Sequence, residues 1–96
     1  MTDLSGKVAL ITGAGQGVGQ GIAFSLAAAG ASVVLAGRTL DKVQKSADEI
    51  VQRGGKAIAI ACNVKAADDL ARAVETTVKE FGGLDILVNN AQEVPL

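Results

Sequence analysis

Aromatic side chains are nearly missing from this 96-residue sequence, which has two phenylalanines, no tryptophan and no tyrosine. A core built on large rings is excluded, so small aliphatic side chains must build it, which suits tightly packed layers of helix on sheet. Cysteine occurs once, as Cys62, so no internal disulfide can form and a reducing compartment is expected. Proline occurs once, as Pro95 near the end, and no linker, repeat or low-complexity stretch interrupts the chain. There is no basic surplus: 9 Lys and Arg face 10 Asp and Glu, for a net charge of −1. That balance argues against a nucleic-acid partner, although a local site can still hold a phosphate. The opening Met1-Thr2-Asp3-Leu4 lacks the basic-then-apolar order of a secretory signal. The apolar run from Ile22 to Ala36 is broken by Gly30 and Ser32 and is too short to cross a bilayer as one helix. A soluble, cytoplasmic protein with no membrane partner is therefore expected.

What is present is aliphatic and periodic. Apolar residues make up 49% of the chain, which argues against disorder, and the length allows one domain at most. Lys7 to Thr12 is a short apolar run ending at glycine and predicts a buried strand. Gln20 to Ala29 carries Ile22, Ala23, Leu26 and Ala27 at helical spacing, with Gly30 as its stop. Ser32 to Ala36 predicts a second strand. Thr39 is placed to cap a helix over Leu40 to Arg53, which Gly54-Gly55 ends. Lys56 to Ala61 predicts a third strand and Ala66 to Phe81 a third helix, stopped by Gly82-Gly83. Leu84 to Val88 predicts a fourth strand. Strands alternating with helices imply parallel pairing, and apolar strands imply a sheet covered on both faces. The expected fold is α/β, a doubly wound parallel sheet in the order β-α-β-α-β-α-β.

The first strand runs into Thr12-Gly13-Ala14-Gly15-Gln16-Gly17-Val18-Gly19. Glycine permits a sharp turn and lets backbone N–H groups come close to a diphosphate. The helix that follows adds a partial positive charge at its N-terminus. The spacing is neither G-x-G-x-x-G nor a P-loop, because no Lys-Ser/Thr pair follows a G-x-x-x-x-G run. It is T-G-x-x-x-G-x-G. The alternative is a glycine-rich turn with no ligand.

Three further motifs follow in order: Ala36-Gly37-Arg38 after the second strand, Asn63-Val64 after the third, and Leu84 to Ala91 (Leu-Asp-Ile-Leu-Val-Asn-Asn-Ala) at the fourth. Together with the loop, these motifs resemble the N-terminal part of the short-chain dehydrogenase/reductase family, over about Leu4 to Ala91. The resemblance implies a Rossmann-like fold and a nicotinamide dinucleotide held by Thr12, Gly13, Gly15, Gln16, Gly17, Val18 and Gly19. It adds Arg38, Thr39, Asn63, Val64, Asn90 and Ala91 to the cofactor-side candidates. Where such proteins carry an acid that binds the NAD ribose, this chain has Gly37, followed by Arg38. A guanidinium can take a 2′-phosphate in a charge-assisted fork, so NADP(H) is favoured, with NAD(H) as the alternative. Arg38 can also be read as a solvated arginine at a helix start. Thr39 either adds a hydroxyl to the phosphate or caps the second helix. Asn63 stands where many members have aspartate, and its amide can still face an adenine edge. Cys62 reads as a small buried hydrophobe. Asp85 is either structural, near the adenine pocket wall, or a solvated turn acid. Asn89 is expected to tie the sheet together. Gln92 replaces a family glycine, which would crowd the loop or force positive φ on a non-glycine residue.

The family's chemistry uses a serine, a tyrosine and a lysine, and this sequence has no tyrosine. Ser5, Ser25, Ser32 and Ser46 all precede the fourth strand, so none stands where the family serine would. Family members usually run to about 250 residues. The chain is therefore expected to be the cofactor-binding segment of a longer reductase or dehydrogenase acting on a small carbonyl or alcohol. The resemblance implies a homo-oligomer at full length. By itself the chain is expected to be poorly stable and inactive, with an unpaired apolar edge at Ile86 and Val88. The other readings are a non-catalytic NADP(H)-binding module and a fragment that works by docking onto a complementary chain.

Overall fold

The computed structural model describes residues 3–90. Seven elements alternate as β1 (Val8–Thr12), α1 (Gly17–Ala28), β2 (Ser32–Gly37), α2 (Leu40–Gln52), β3 (Lys56–Ala61), α3 (Ala67–Phe81) and β4 (Ile86–Asn89). The four strands form one sheet in the order β3-β2-β1-β4, with every pairing parallel. This is the doubly wound arrangement expected from the alternation of strand and helix. No helix among the described residues is long and apolar enough to cross a membrane.

Strand alternation divides the core. Ala9, Ile11, Val33 and Leu35 pack with Ala23 of α1 and with Val43, Ala47 and Ile50 of α2. Leu10, Val34 and Ala36 point the other way and pack with Cys62 and with Ala73 of α3. Side chains two apart share a face of a strand, so both faces of β1 and β2 are apolar and both are covered. β1 and β2 are accordingly the buried centre of the sheet.

The order reverses beside β1. The chain moves from β1 through β2 to β3, then crosses over with α3 to lay β4 on the far side of β1. The crevice at the carboxyl ends of β1 and β4 is thus a topological switch point, where sheets of this kind take their ligands. The glycine-rich loop leaves β1 at that point.

Two elements start more than one residue away from expectation, and one helix cap is made differently. α1 begins at Gly17 rather than Gln20. Gly17, Gly19 and Gly21 all fall in its first two turns and weaken the local helical signal, so packing against the loop carries the helix start. β4 runs Ile86–Asn89 rather than Leu84–Val88. Before it, Asp85 is already bound: its N–H donates to the Val8 carbonyl at 2.9 Å, and its carboxylate accepts the Val8 N–H at 2.9 Å. Thr39 is the N-cap of α2 but its hydroxyl makes no capping bond. Its carbonyl accepts the Lys42 N–H at 3.1 Å instead.

The expected edge is also redistributed. β4 does end the sheet, but Ile86 and Val88 are half-buried against the core shared with α1 and α2. The apolar side chain left exposed on the strand is Leu87, at 52%. Among the described residues α3 packs on β1 and β2 and does not cover that face of β4.

Candidate functional site

At the switch point lies a cleft of about 890 Å³ between the glycine-rich loop, the end of β2 and the start of α2. Gly13, Gly15, Gln16, Gly17 and Val18 form its loop wall. Arg38 and Thr39 line it from the other side, and Val64 and Asn90 complete the predicted set found on its surface. Residues distant in sequence are therefore brought together as expected.

The loop is held at both ends. The Ala14 N–H donates to the Ala36 carbonyl at 3.2 Å, tying the loop to the end of β2. Asn90 Nδ2 donates to the Gly13 carbonyl at 3.3 Å, tying it to the end of β4. Gly17 takes φ of +61°, a backbone conformation that favours glycine. From there α1 starts with Gln16 at its N-cap, no side chain capping it and no acid in its first turn. The orphan N–H groups and the positive end of the helix dipole are left for an anion.

Three predicted contacts serve a different purpose. Thr12 is buried and does not line the cleft. Its hydroxyl donates to Asn89 Oδ1 at 3.1 Å and accepts the Asn90 N–H at 3.0 Å, which fastens β4 to β1. This is also how Asn89 ties the sheet together. Gly19 lies behind the loop, where a Cβ would stand 2.2 Å from the Gly13 carbonyl oxygen. Asn63 is turned into its own loop. Its Oδ1 accepts the Lys65 N–H at 3.0 Å, and its N–H donates to Asp69 Oδ2 at 3.0 Å. The cleft is lined by the apolar neighbour Val64 and not by Asn63. Asp85 sits at the opposite end of the sheet, beside Val8, and not near an adenine pocket wall. Ala91 and Gln92 lie outside the described residues.

The cleft also holds residues that the sequence reading did not assign to it: Gly37, Lys42, Val43 and Cys62. Lys42 Nζ donates to Gln16 Oε1 at 3.0 Å, bridging α2 to the loop. A signal for Lys42 and Val43 was available. They stand three and four residues after Thr39, so a helix starting at Leu40 returns them to the face on which it starts.

Cys62 is 3% exposed. Burial pushes its thiol pKa up, the Asp69 carboxylate adds to the rise, and the Arg72 guanidinium opposes it. The thiol stays protonated near neutral pH and is a poor nucleophile. A thiol in the unfolded chain ionises near pH 8.5 (an approximate value), below its folded pKa. Over that interval the unfolded state binds fewer protons, so stability falls as pH rises. We expect urea midpoints to drop between about pH 8 and pH 10. Cys62→Ala should flatten that slope, and an unchanged slope would show that another group causes it.

The match to known proteins agrees with this geometry. A family model described as short chain dehydrogenase covers residues 7–93. The chain belongs to the short-chain dehydrogenase family. A family relative, the hydroxynaphthalene reductase-like protein of Metarhizium acridum, is 46% identical over 89 residues, which are 92% of this chain and 33% of that protein. The cyclohexanol dehydrogenase of an Acinetobacter strain is 49% identical over 85 residues, 88% of this chain and 34% of that protein. A 7α-hydroxysteroid dehydrogenase solved with NADH and 7-oxo glycochenodeoxycholic acid superposes with a TM-score of 0.92. It is 43% identical, with 95% of this chain and 36% of that one covered. This short-chain dehydrogenase chain thus spans about a third of the length of the curated relatives it matches.

Proposed function

We propose that this chain is the cofactor-binding segment of an oxidoreductase that moves hydride between NADP(H) and a small carbonyl or alcohol substrate. The observation that carries the reading is the cleft: an uncapped helix N-terminus behind a pinned glycine loop, with Arg38 and Thr39 opposite. The loop residues Gly13, Gly15, Gln16, Gly17 and Val18 hold the diphosphate by backbone N–H groups and the α1 dipole. Arg38 takes the 2′-phosphate in a charge-assisted fork. The Thr39 hydroxyl, which makes no cap bond, is available beside it. Val64 gives the adenine an apolar wall, Asn90 stands on the nicotinamide-ribose side, and Ala91 is a candidate there by its place in the motif alone. The nicotinamide, when bound, supplies the carbon that gives or accepts hydride. The sequence has no tyrosine, so the proton-transferring group belongs to a part of the protein beyond this chain. The 96 residues alone are inactive in this reading, and the full protein is a cytoplasmic homo-oligomer.

NAD(H) is the second reading, favoured by the NADH complex of the 43% identical hydroxysteroid dehydrogenase. Titration with NADPH and NADH, followed by nicotinamide fluorescence, separates the two. Arg38→Asp should weaken NADPH by about tenfold to a hundredfold, the size of a lost charge-assisted hydrogen bond. NADH should move far less. An unchanged NADPH-to-NADH ratio would remove Arg38 from the phosphate site.

A further inference from the structure

Gly37 stands where an acid would mark an NAD site, and the usual reasons for a glycine do not apply to it. Its φ is not positive, so the backbone does not demand glycine there. The constraint is space. A Cβ at position 37 would lie 2.8 Å from Val43 Cγ1, well inside van der Waals contact. The same methyl group lies 3.5 Å from the Cβ that a residue at Gly15 would carry. One side chain of α2 thus fills the space above both the end of β2 and the glycine loop.

Val43 cannot easily give way. It is 0% exposed and belongs to the core shared by α1, α2 and the sheet. A β-branched side chain in a helix has one strongly preferred χ1 rotamer. Its backbone is fixed too, because its N–H donates to the Thr39 carbonyl at 3.4 Å in the first turn of α2. Moving the methyl away means moving the helix start, and with it Thr39 and the Lys42 bridge to Gln16.

We propose that Val43 is a positioning residue that keeps position 37 a glycine. Its Cγ1 occupies the space that a Cβ at 37 would need, so core packing of α2 bars a ribose-binding aspartate from the end of β2 and leaves Arg38 as the side chain that can face the adenosine end of the cleft. The inference rests on the NADP(H) reading of the cleft and adds to it. Arg38 supplies attraction for the phosphate, while Val43 holds position 37 without the carboxylate that would favour the ribose of NAD(H).

The test is a double-mutant cycle of Gly37→Asp and Val43→Ala, with melting temperature and the two cofactor affinities measured on each chain. Gly37→Asp alone should lower the melting temperature by several degrees. Added to Val43→Ala, where the methyl group is gone, the same aspartate should cost clearly less. The aspartate should also shift the NADH-to-NADPH affinity ratio by about tenfold or more in the Val43→Ala background, and by less in the valine background. If Gly37→Asp does not fold, a cooperative melt in the double variant together with an NADH-to-NADPH ratio about tenfold above that of Val43→Ala alone supports the proposal, and failure to recover, or recovery with no ratio shift, overturns it. Additive losses with an equal ratio shift in both backgrounds overturn it as well. A merely structural valine would couple the melts and leave the ratio shift alike, which also counts against the proposal. If the unmodified chain binds NADH as tightly as NADPH, the NADP(H) reading itself falls. If it favours NADPH but the aspartate acts alike in both backgrounds, only the role of Val43 falls.

Discussion

Gly19→Ala should destabilise the chain by about 2–3 kcal/mol, the upper part of the range for overpacking a filled site. By helix propensity alone the sign would be opposite. Gly19 lies inside α1, where alanine is favoured over glycine by about 1 kcal/mol. Contact decides the matter. A Cβ on Gly19 would stand 2.2 Å from the Gly13 carbonyl oxygen, 2.9 Å from the Gly13 carbonyl carbon and 2.6 Å from Asn90 Nδ2. Alanine has no rotamer to escape with, and two of those atoms are backbone. The helix must lift from the loop, which separates the uncapped N–H groups of α1 from the turn they complete. Cofactor affinity should therefore fall together with stability. Gly21→Ala is the matched control, two residues further along the same helix with nothing within 4 Å of its added Cβ. It should be neutral or stabilising by up to about 1 kcal/mol. Urea unfolding followed by far-UV circular dichroism reads both, since the chain has no tryptophan. Equal midpoints for the two variants would mean that the close approach at Gly19 costs nothing.

Gly19 also shows where the sequence was legible and where it was not. The T-G-x-x-x-G-x-G spacing located the loop and its likeness to a dinucleotide cradle. It did not separate glycines that line the cleft, such as Gly15 and Gly17, from one that faces Asn90 across the fold. That distinction needs the distance between β4 and the loop, which no local pattern encodes. The strands were readable because each is a short apolar run between turn residues, and their burial followed from alternation of strand and helix. The start of α1 was not readable, because three glycines hide a helix that tertiary packing imposes. The position of Asn63 off the cleft surface was not legible for a related reason: its side chain has a local use, closing a turn on Lys65. Arg38 was legible because it follows the second strand directly. Val43 was not, because its effect on position 37 passes through space between two elements.

Thr12→Val should cost about 2–3 kcal/mol and lower cofactor affinity, although Thr12 does not line the cleft. Valine keeps the shape of threonine and removes only the hydroxyl. That hydroxyl is 1% exposed by residue, donates to Asn89 Oδ1 at 3.1 Å and accepts the Asn90 N–H at 3.0 Å. Its loss leaves the half-buried Asn90 N–H without this partner at the seam between β1 and β4, and an orphaned buried group costs about 1–3 kcal/mol. The damage should reach the loop through one named bond. Asn90 Nδ2 holds the Gly13 carbonyl at 3.3 Å, so a loosened Asn90 releases the turn proposed to hold the diphosphate. Neither bond distinguishes one nicotinamide cofactor from the other. NADPH and NADH should therefore weaken by the same factor, in contrast to the selective loss expected from Arg38→Asp. Thr12→Ser keeps the hydroxyl and gives up a methyl group, so it should restore cofactor affinity at a stability cost of about 1 kcal/mol. Full affinity in Thr12→Val would cut the proposed line from β1 through Asn90 to the loop. A selective loss of NADPH would instead put Thr12 in direct contact with the adenosine phosphate, where the structure does not place it.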